Sequence, residues 1–229
     1  MINPNVSGKS RAMNQIIYCI SGLGSDERIF EKLKFRNYEL RFISWLQPSK
    51  NETIDNYARR MADSIREKDA ILLGVSFGGM MAIEIARQFP LQRLILISSI
   101  KSAQELPRWM KMAGNLKLNK LIPMKPYSFI SKIGNRRLGV TNADEQKMVE
   151  AFRNSVDPGY LHWAINQILN WKNNWAPSNV IQIHGDGDKI FPIKGIRATH
   201  IIKGATHFMV HNRAAEVAQC IEEALAGKS

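Results

Sequence analysis

Cysteine is nearly absent: the 229-residue chain has two, Cys19 and Cys220. So few exclude a disulfide framework, and neither has companions at metal-ligand spacing, so no cysteine-held metal is expected. Both lie in apolar patterns and are expected to be reduced core residues. Long apolar runs are also missing, with nothing near the roughly 20 residues of a membrane-spanning helix. Residues 1–14 form a polar extension without the apolar stretch of a secretory signal. A cytoplasmic location is the resulting expectation. Acidic side chains are outnumbered, 20 against 32 lysines and arginines, for a formal net charge of +12. The excess is concentrated between Lys101 and Arg153, with eleven basic and four acidic residues. Such a balance raises nucleic acid or an anionic surface as a partner. No nucleic-acid-binding motif accompanies it, so the charge is read first as solvated surface, with no nucleic acid expected. Two nucleotide-binding patterns fail as well. Gly22-Leu23-Gly24 is followed by Glu27 where a dinucleotide fingerprint needs its third glycine, and Gly8-Lys9-Ser10 has Asn3 where a phosphate loop begins with glycine.

What the chain does contain is an alternation of short apolar runs with helical periodicity. Strands are expected at Gln15–Ile20, Tyr38–Trp45, Asp69–Val75, Leu91–Ser99, Asn179–His184 and Ala198–Lys203. Helices are expected at Thr53–Lys68, Phe77–Gln88 and Met209–Leu225, and Asp26 is placed to cap a short helix over Arg28–Leu33. This order predicts an α/β fold with a mainly parallel sheet of about six strands and helices on both faces. Residues 101–177 interrupt the alternation with five prolines, tryptophans and helical patches such as Asp144–Asn154 and Tyr160–Trp171. They are expected to form a helical insertion over the carboxyl edge of the sheet, with 15–100 and 178–229 as the core.

The stretch with most chemical content is Gly74-Val75-Ser76-Phe77-Gly78-Gly79, between an apolar strand and a helix. A strand turning abruptly into a helix crowds its own backbone. Glycines at 74 and 78 relieve that crowding, and Ser76 at the apex projects its hydroxyl beside the first amides of the helix. A serine nucleophile needs a base to take its proton. Among five histidines, His207 alone sits in a glycine-containing loop just past the last strand, whereas His162, His200 and His211 fall within the insertion, a strand and a helix. The carboxylate that orients the base is expected from the loop after the penultimate strand. Asp188 is preferred there, because Asp186 lies between two glycines where it would organise the turn. The amides of Phe77 and of Leu23, in the glycine turn after the first strand, are the expected oxyanion donors.

Four blocks together, Ser21–Gly24, Gly74–Gly79, His184–Asp188 with Pro192, and Gly204–Phe208, resemble the α/β-hydrolase superfamily over the whole chain from about Gln15. The resemblance implies a Ser76–Asp188–His207 triad and a cap made by residues 101–177. It departs in having Ser21 where many members carry histidine, and in starting at what looks like the family's third strand, which implies a compact six-stranded sheet. Members that dehalogenate or open epoxides use an aspartate nucleophile, so Ser76 points instead to acyl transfer. The expectation is a serine hydrolase of a small-molecule carboxylic ester, with thioesters and carbon–carbon bonds as variants and a non-catalytic ligand receptor as the alternative. No metal or organic cofactor is implied. Trp109, Tyr127, Phe129 and Trp163 are candidates for an apolar substrate pocket, and the basic insertion leaves an anionic acyl substrate open.

Overall fold

The computed structural model describes residues 15–117 and 130–227. The polar extension, the Gly8–Ser10 pattern, Tyr127 and Phe129 lie outside these. Six parallel strands, β1 (Gln15–Ile20), β2 (Tyr38–Phe42), β3 (Ala70–Val75), β4 (Leu91–Ile97), β5 (Val180–Gly185) and β6 (His200–Ile202), form one sheet in the order β2-β1-β3-β4-β5-β6. The chain moves outward from β1 to β2, then returns to the other side of β1 with β3. Loops leaving β1 and β3 therefore diverge at the carboxyl edge and open a crevice, the usual ligand position in an open parallel sheet. Register sharpens this: Ile20 lies opposite Gly74, so the turn after β1 and the turn after β3 sit side by side.

The central strands carry apolar residues continuously because both faces are covered; every residue of β3 is buried. On one face, α1 (Ile54–Ala62) and α2 (Phe77–Ala86) pack Tyr57, Met61, Met80 and Ile83 against Leu72 and Leu94. On the other, α7 (Met209–Asn212) and α8 (Ala214–Leu225) pack Val210, Val217 and Ile221 against Leu73, Ile95 and Ile183. Cys19 is buried in this second core and Cys220 is half-buried at its margin, both free.

Between β4 and β5 lie α3 (Arg108–Asn115), α4 (Ile130–Leu138), α5 (Ala143–Ser155) and α6 (Pro158–Leu169), with no strand among the described residues. Asn142 caps α5 through the amides of Asp144 and Glu145. Asp157 caps α6, whose first residue is Pro158, a position where the missing N–H costs nothing. Hydrogen bonds tether this stretch to the core, among them Trp171 Nε1 donating to the buried Glu84 of α2 at 2.7 Å and Trp163 Nε1 to the Glu52 carbonyl at 2.8 Å. Among the described residues no helix is long and apolar enough to cross a membrane.

Three elements differ from their sequence expectation. Strand β2 stops at Phe42 because β1, its only neighbour, ends at Ile20, and the chain then turns Trp45 toward α2. Helix α1 ends at Ala62 instead of continuing to Lys68. Residues beyond it leave the helix so that Glu67 can accept from the Tyr18 hydroxyl and pair with Arg41 at 3.0 Å. The closing helix is broken at Arg213. Met209, Val210 and His211 are all buried, and three consecutive residues cannot share one inward face of a surface helix.

Candidate active site

Ser76 occupies the turn between β3 and α2 with φ 54° and ψ −119°, a conformation rarely adopted by a residue with a side chain. The turn is pinned by Ser76 N–H donating to the Ile97 carbonyl at 3.0 Å and by the Ser99 hydroxyl donating to the Ser76 carbonyl at 2.6 Å. Its glycines are sterically required. A methyl at Gly74 would lie 2.6 Å from both Gly78 C and Gly79 Cα, and one at Gly78 would lie 2.5 Å from the Ile20 carbonyl oxygen.

The Ser76 hydroxyl lies 2.8 Å from His207 Nε2, and His207 Nδ1 lies 2.8 Å from Asp188 Oδ2. A carboxylate only accepts, so Nδ1 carries the proton and Nε2 turns its lone pair to the Ser76 hydroxyl. Asp188 and His207 are buried, while Ser76 is half-buried. The other carboxylate oxygen of Asp188 accepts from Ile190 N–H at 2.8 Å and Phe191 N–H at 2.9 Å. Burial pushes the Asp188 carboxyl up, but the electrostatic pull and hydrogen bond of His207, together with His184 and the Phe191 amide, outweigh it and hold it below the usual carboxylate range. Asp186 instead accepts from Gly204 N–H at 2.6 Å, which ties two loops together, and Asp26 caps the 3-10 turn Glu27–Phe30.

Leu23 lies in the turn closed by Ser25 N–H donating to the Gly22 carbonyl at 3.2 Å. A methyl at Gly22 would contact Ser76 Cβ at 3.5 Å, so this turn packs directly on the serine. Phe77 is the first residue of α2, and its amide belongs to the first helical turn, where N–H groups lack intrahelical acceptors. Neither amide donates to another group among the described residues. His162 on α6 and His200 in β6 make no hydrogen bond to Ser76 among the described residues, and His211 is buried in α7 near Glu31.

Solved structures similar to this chain include MenH of S. aureus, at 17% identity with a TM-score of 0.68, covering 94% of this chain and 95% of that one. An epoxide hydrolase of Bacillus megaterium in complex with an inhibitor aligns at 15% identity and TM-score 0.65, covering 93% and 94%. A bromoperoxidase of Bacillus anthracis aligns at 14% and 0.68, covering 93% and 92%. The chain has the α/β-hydrolase fold. No family model matches the sequence, and no curated protein does. Over almost the whole of each compared chain, then, the resemblance is one of α/β-hydrolase architecture rather than of sequence.

In this α/β-hydrolase fold the aromatic surroundings of Ser76 come from distant segments. Trp45 stacks on Phe77 at 5.2 Å with 8° between planes and donates Nε1–H to the Ser21 hydroxyl at 3.0 Å; Ser21 in turn donates to the Ser25 carbonyl at 2.7 Å. Ser21 thus braces the Leu23 turn. Tyr160 and Trp163 of α6 lie 5.4 Å from Trp45 and 4.2 Å from Tyr57 respectively. Of the expected pocket residues, Trp163 is in this cluster, whereas Trp109 is exposed on α3. A cavity of about 310 Å³ opens beside the Ser21–Asp26 turn, lined by Phe30, Trp45, Val156 and Tyr160, without Ser76 in its wall. Trp45, Tyr57 and Tyr160 were not indicated by the sequence; their one signal is that each is an aromatic residue just outside or on a helix facing the carboxyl edge. His184 is likewise new, buried in β5 behind Asp188.

Proposed function

We propose that the protein is a serine hydrolase that cleaves small-molecule carboxylic esters. The observation that carries this reading is the continuous relay Ser76 Oγ–His207–Asp188, with both links at 2.8 Å, at a strained turn flanked by two amides. His207 Nε2 takes the Ser76 proton as Oγ attacks the ester carbonyl, and Asp188 steadies the imidazolium that forms. The amides of Phe77 and Leu23 receive the developing oxyanion, each such donor being worth roughly 10²–10³ in rate. Collapse of the intermediate expels the alcohol, which takes the proton back from His207 and leaves an acyl-Ser76. His207 then activates water to release the acid and restore the serine. Residues 101–177 act as the cap over this site, with Tyr160 and Trp163 facing the aromatic side chains beside Phe77. The fold similarity supports hydrolase chemistry in general; the serine at the turn is what narrows it to acyl transfer. A fluorophosphonate probe should label Ser76, and p-nitrophenyl esters of graded chain length should be turned over. Ser76→Ala should abolish labelling and reduce kcat by at least about 10³-fold. A folded protein that neither reacts with the probe nor loses ester turnover on Ser76→Ala would refute the reading.

A further inference from the structure

His184 ends the apolar run of β5 and is fully buried, and among the described residues it makes no hydrogen bond to Ser76. Its Nε2 lies 2.7 Å from the carbonyl oxygen of Phe191, an acceptor only, so His184 is held as the Nε2–H tautomer and donates to that carbonyl. The same nitrogen is 3.4 Å from Asp188 Oδ2, the oxygen that accepts from His207. Nδ1 is buried with no partner, a cost that a mere space-filling side chain would not carry.

Phe191 is the hinge of this arrangement. Its carbonyl is held by His184, its N–H donates to Asp188 Oδ1 at 2.9 Å, and its ring meets the His207 imidazole edge-on at 5.7 Å and 65°. One residue thus aims the carboxylate with its N–H, is anchored by its carbonyl, and lines the His207 imidazole with its ring. The titratable groups facing His184 are Asp188, His207 and Glu105, and burial keeps the His184 imidazole below its ordinary range and neutral beside them. A neutral N–H donor supports the Asp188 carboxylate without placing a second full charge next to His207.

We propose that His184 is a positioning residue that, through the main chain of Phe191, fixes the direction in which Asp188 presents Oδ2 to His207; this rests on the serine-hydrolase reading above. A lost donor would leave the Phe191 carbonyl buried and unpaired, free the Phe191–Asp188 segment to shift, and misalign the base without altering the substrate's contacts.

The test compares His184→Leu, which removes the donor, with His184→Gln, whose side-chain amide nitrogen can still reach the Phe191 carbonyl. Each is followed by the pH dependence of kcat and KM and by the rate of fluorophosphonate labelling of Ser76. In His184→Leu, kcat and the labelling rate should fall roughly 10- to 100-fold, the scale of a misplacement of about 1 Å, with KM within about threefold. The acid limb of its kcat/KM profile should be displaced from that of the wild type. His184→Gln should recover most of the rate and the wild-type profile. Where the leucine variant does not fold, His184→Asn, polar but too short to reach Phe191, replaces it with the same expected result. A folded His184→Leu with wild-type labelling and profile refutes the proposal, as do glutamine and leucine variants that are equally impaired, since shape would then matter and the hydrogen bond would not. Wild-type protein that resists labelling refutes instead the serine-hydrolase reading, so the two failures are distinct.

Discussion

Gly74→Ala tests whether the turn around Ser76 is as tightly built as its contacts require. The new methyl would run into the Gly78 carbonyl oxygen and lie 2.6 Å from Gly78 C and Gly79 Cα, whereas ordinary contact begins at 3.4 Å, so the first turn of α2 must retreat by at least about 0.8 Å. No rotamer relieves this, because the obstructing atoms are backbone. Retreat is also blocked, since Gly78 is itself wedged against the carbonyls that end β1, and Gly79 against Ser99. Overpacking of this kind costs about 1–3 kcal/mol. At roughly 2–4 °C per kcal/mol for a chain of this size, Tm should drop by about 2–12 °C. A displacement approaching 1 Å between Ser76 and His207 should in addition slow acylation by about 10²-fold. Thermal melts followed by circular dichroism and Ser76 labelling by fluorophosphonate measure the two effects separately. Gly134→Ala on α4 is the control, because its methyl would meet only the far end of the Arg153 side chain, at 3.3 Å. A Gly74→Ala protein that melts within about 1 °C of wild type and is labelled within about threefold of its rate would show the turn to be slacker than this argument needs.

Stability should fall on acidification in two stages. Burial holds the imidazoles of His184 and His211 below their ordinary range, His211 lying also near Lys32, Glu31 and Glu145. Below about pH 6.5 the unfolded chain therefore binds protons that the native state refuses, so stability is full above that pH and lost as pH falls toward the folded values. Each contributes at most about 1.4 kcal/mol per pH unit. Asp188, held below the usual carboxylate range, contributes stability that is present above about pH 3.9 and is lost as pH falls through its folded value. Urea unfolding between about pH 8 and 2 should show both declines, the upper one shallower in His211→Gln; a flat profile refutes the assignment. At Gly139, where φ is 84°, a methyl would lie 2.7 Å from Thr206 Cγ2 and nearer its hydroxyl. Gly139→Ala should thus push on the residue before His207 and lower kcat at least about tenfold, with partial recovery when Thr206 is made glycine; wild-type kinetics in the single variant would refute the coupling.

What the chain reveals in one dimension depends on how each contact is made. The strands were legible because parallel strands buried on both faces must be continuously apolar, as Ala70–Val75 is. Ser76, Asp188 and His207 were legible because a tight turn and two loop ends leave marks in glycine and in residue type. Trp45 left no such mark: it closes an alternating strand pattern, and only the early end of β1 sends it away from the ladder and onto Phe77. His184 was hidden for a similar reason, since at the end of a buried strand a histidine reads as one more core residue. The broken closing helix was unreadable because Met209–Leu225 keeps helical periodicity across the break.

The insertion carries this furthest. Its sequence says least about the site, yet it holds the His207 loop in place through the main chain. Phe208 N–H, next to His207, donates to the Leu138 carbonyl at 2.9 Å, and Asn212 Nδ2 donates to the Gly139 carbonyl at 3.1 Å. His207 is therefore gripped from two sides, by Phe191 and Asp188 from the sheet and by the Leu138–Gly139 turn from the inserted helices. Carbonyl acceptors can be supplied by any residue, so the second grip is invisible in composition and is betrayed only by the glycine at 139. On the proposed serine-hydrolase reading, substitutions within residues 101–177 should alter catalysis by moving His207 as well as by reshaping the pocket. A kcat effect at constant KM distinguishes the first route from the second.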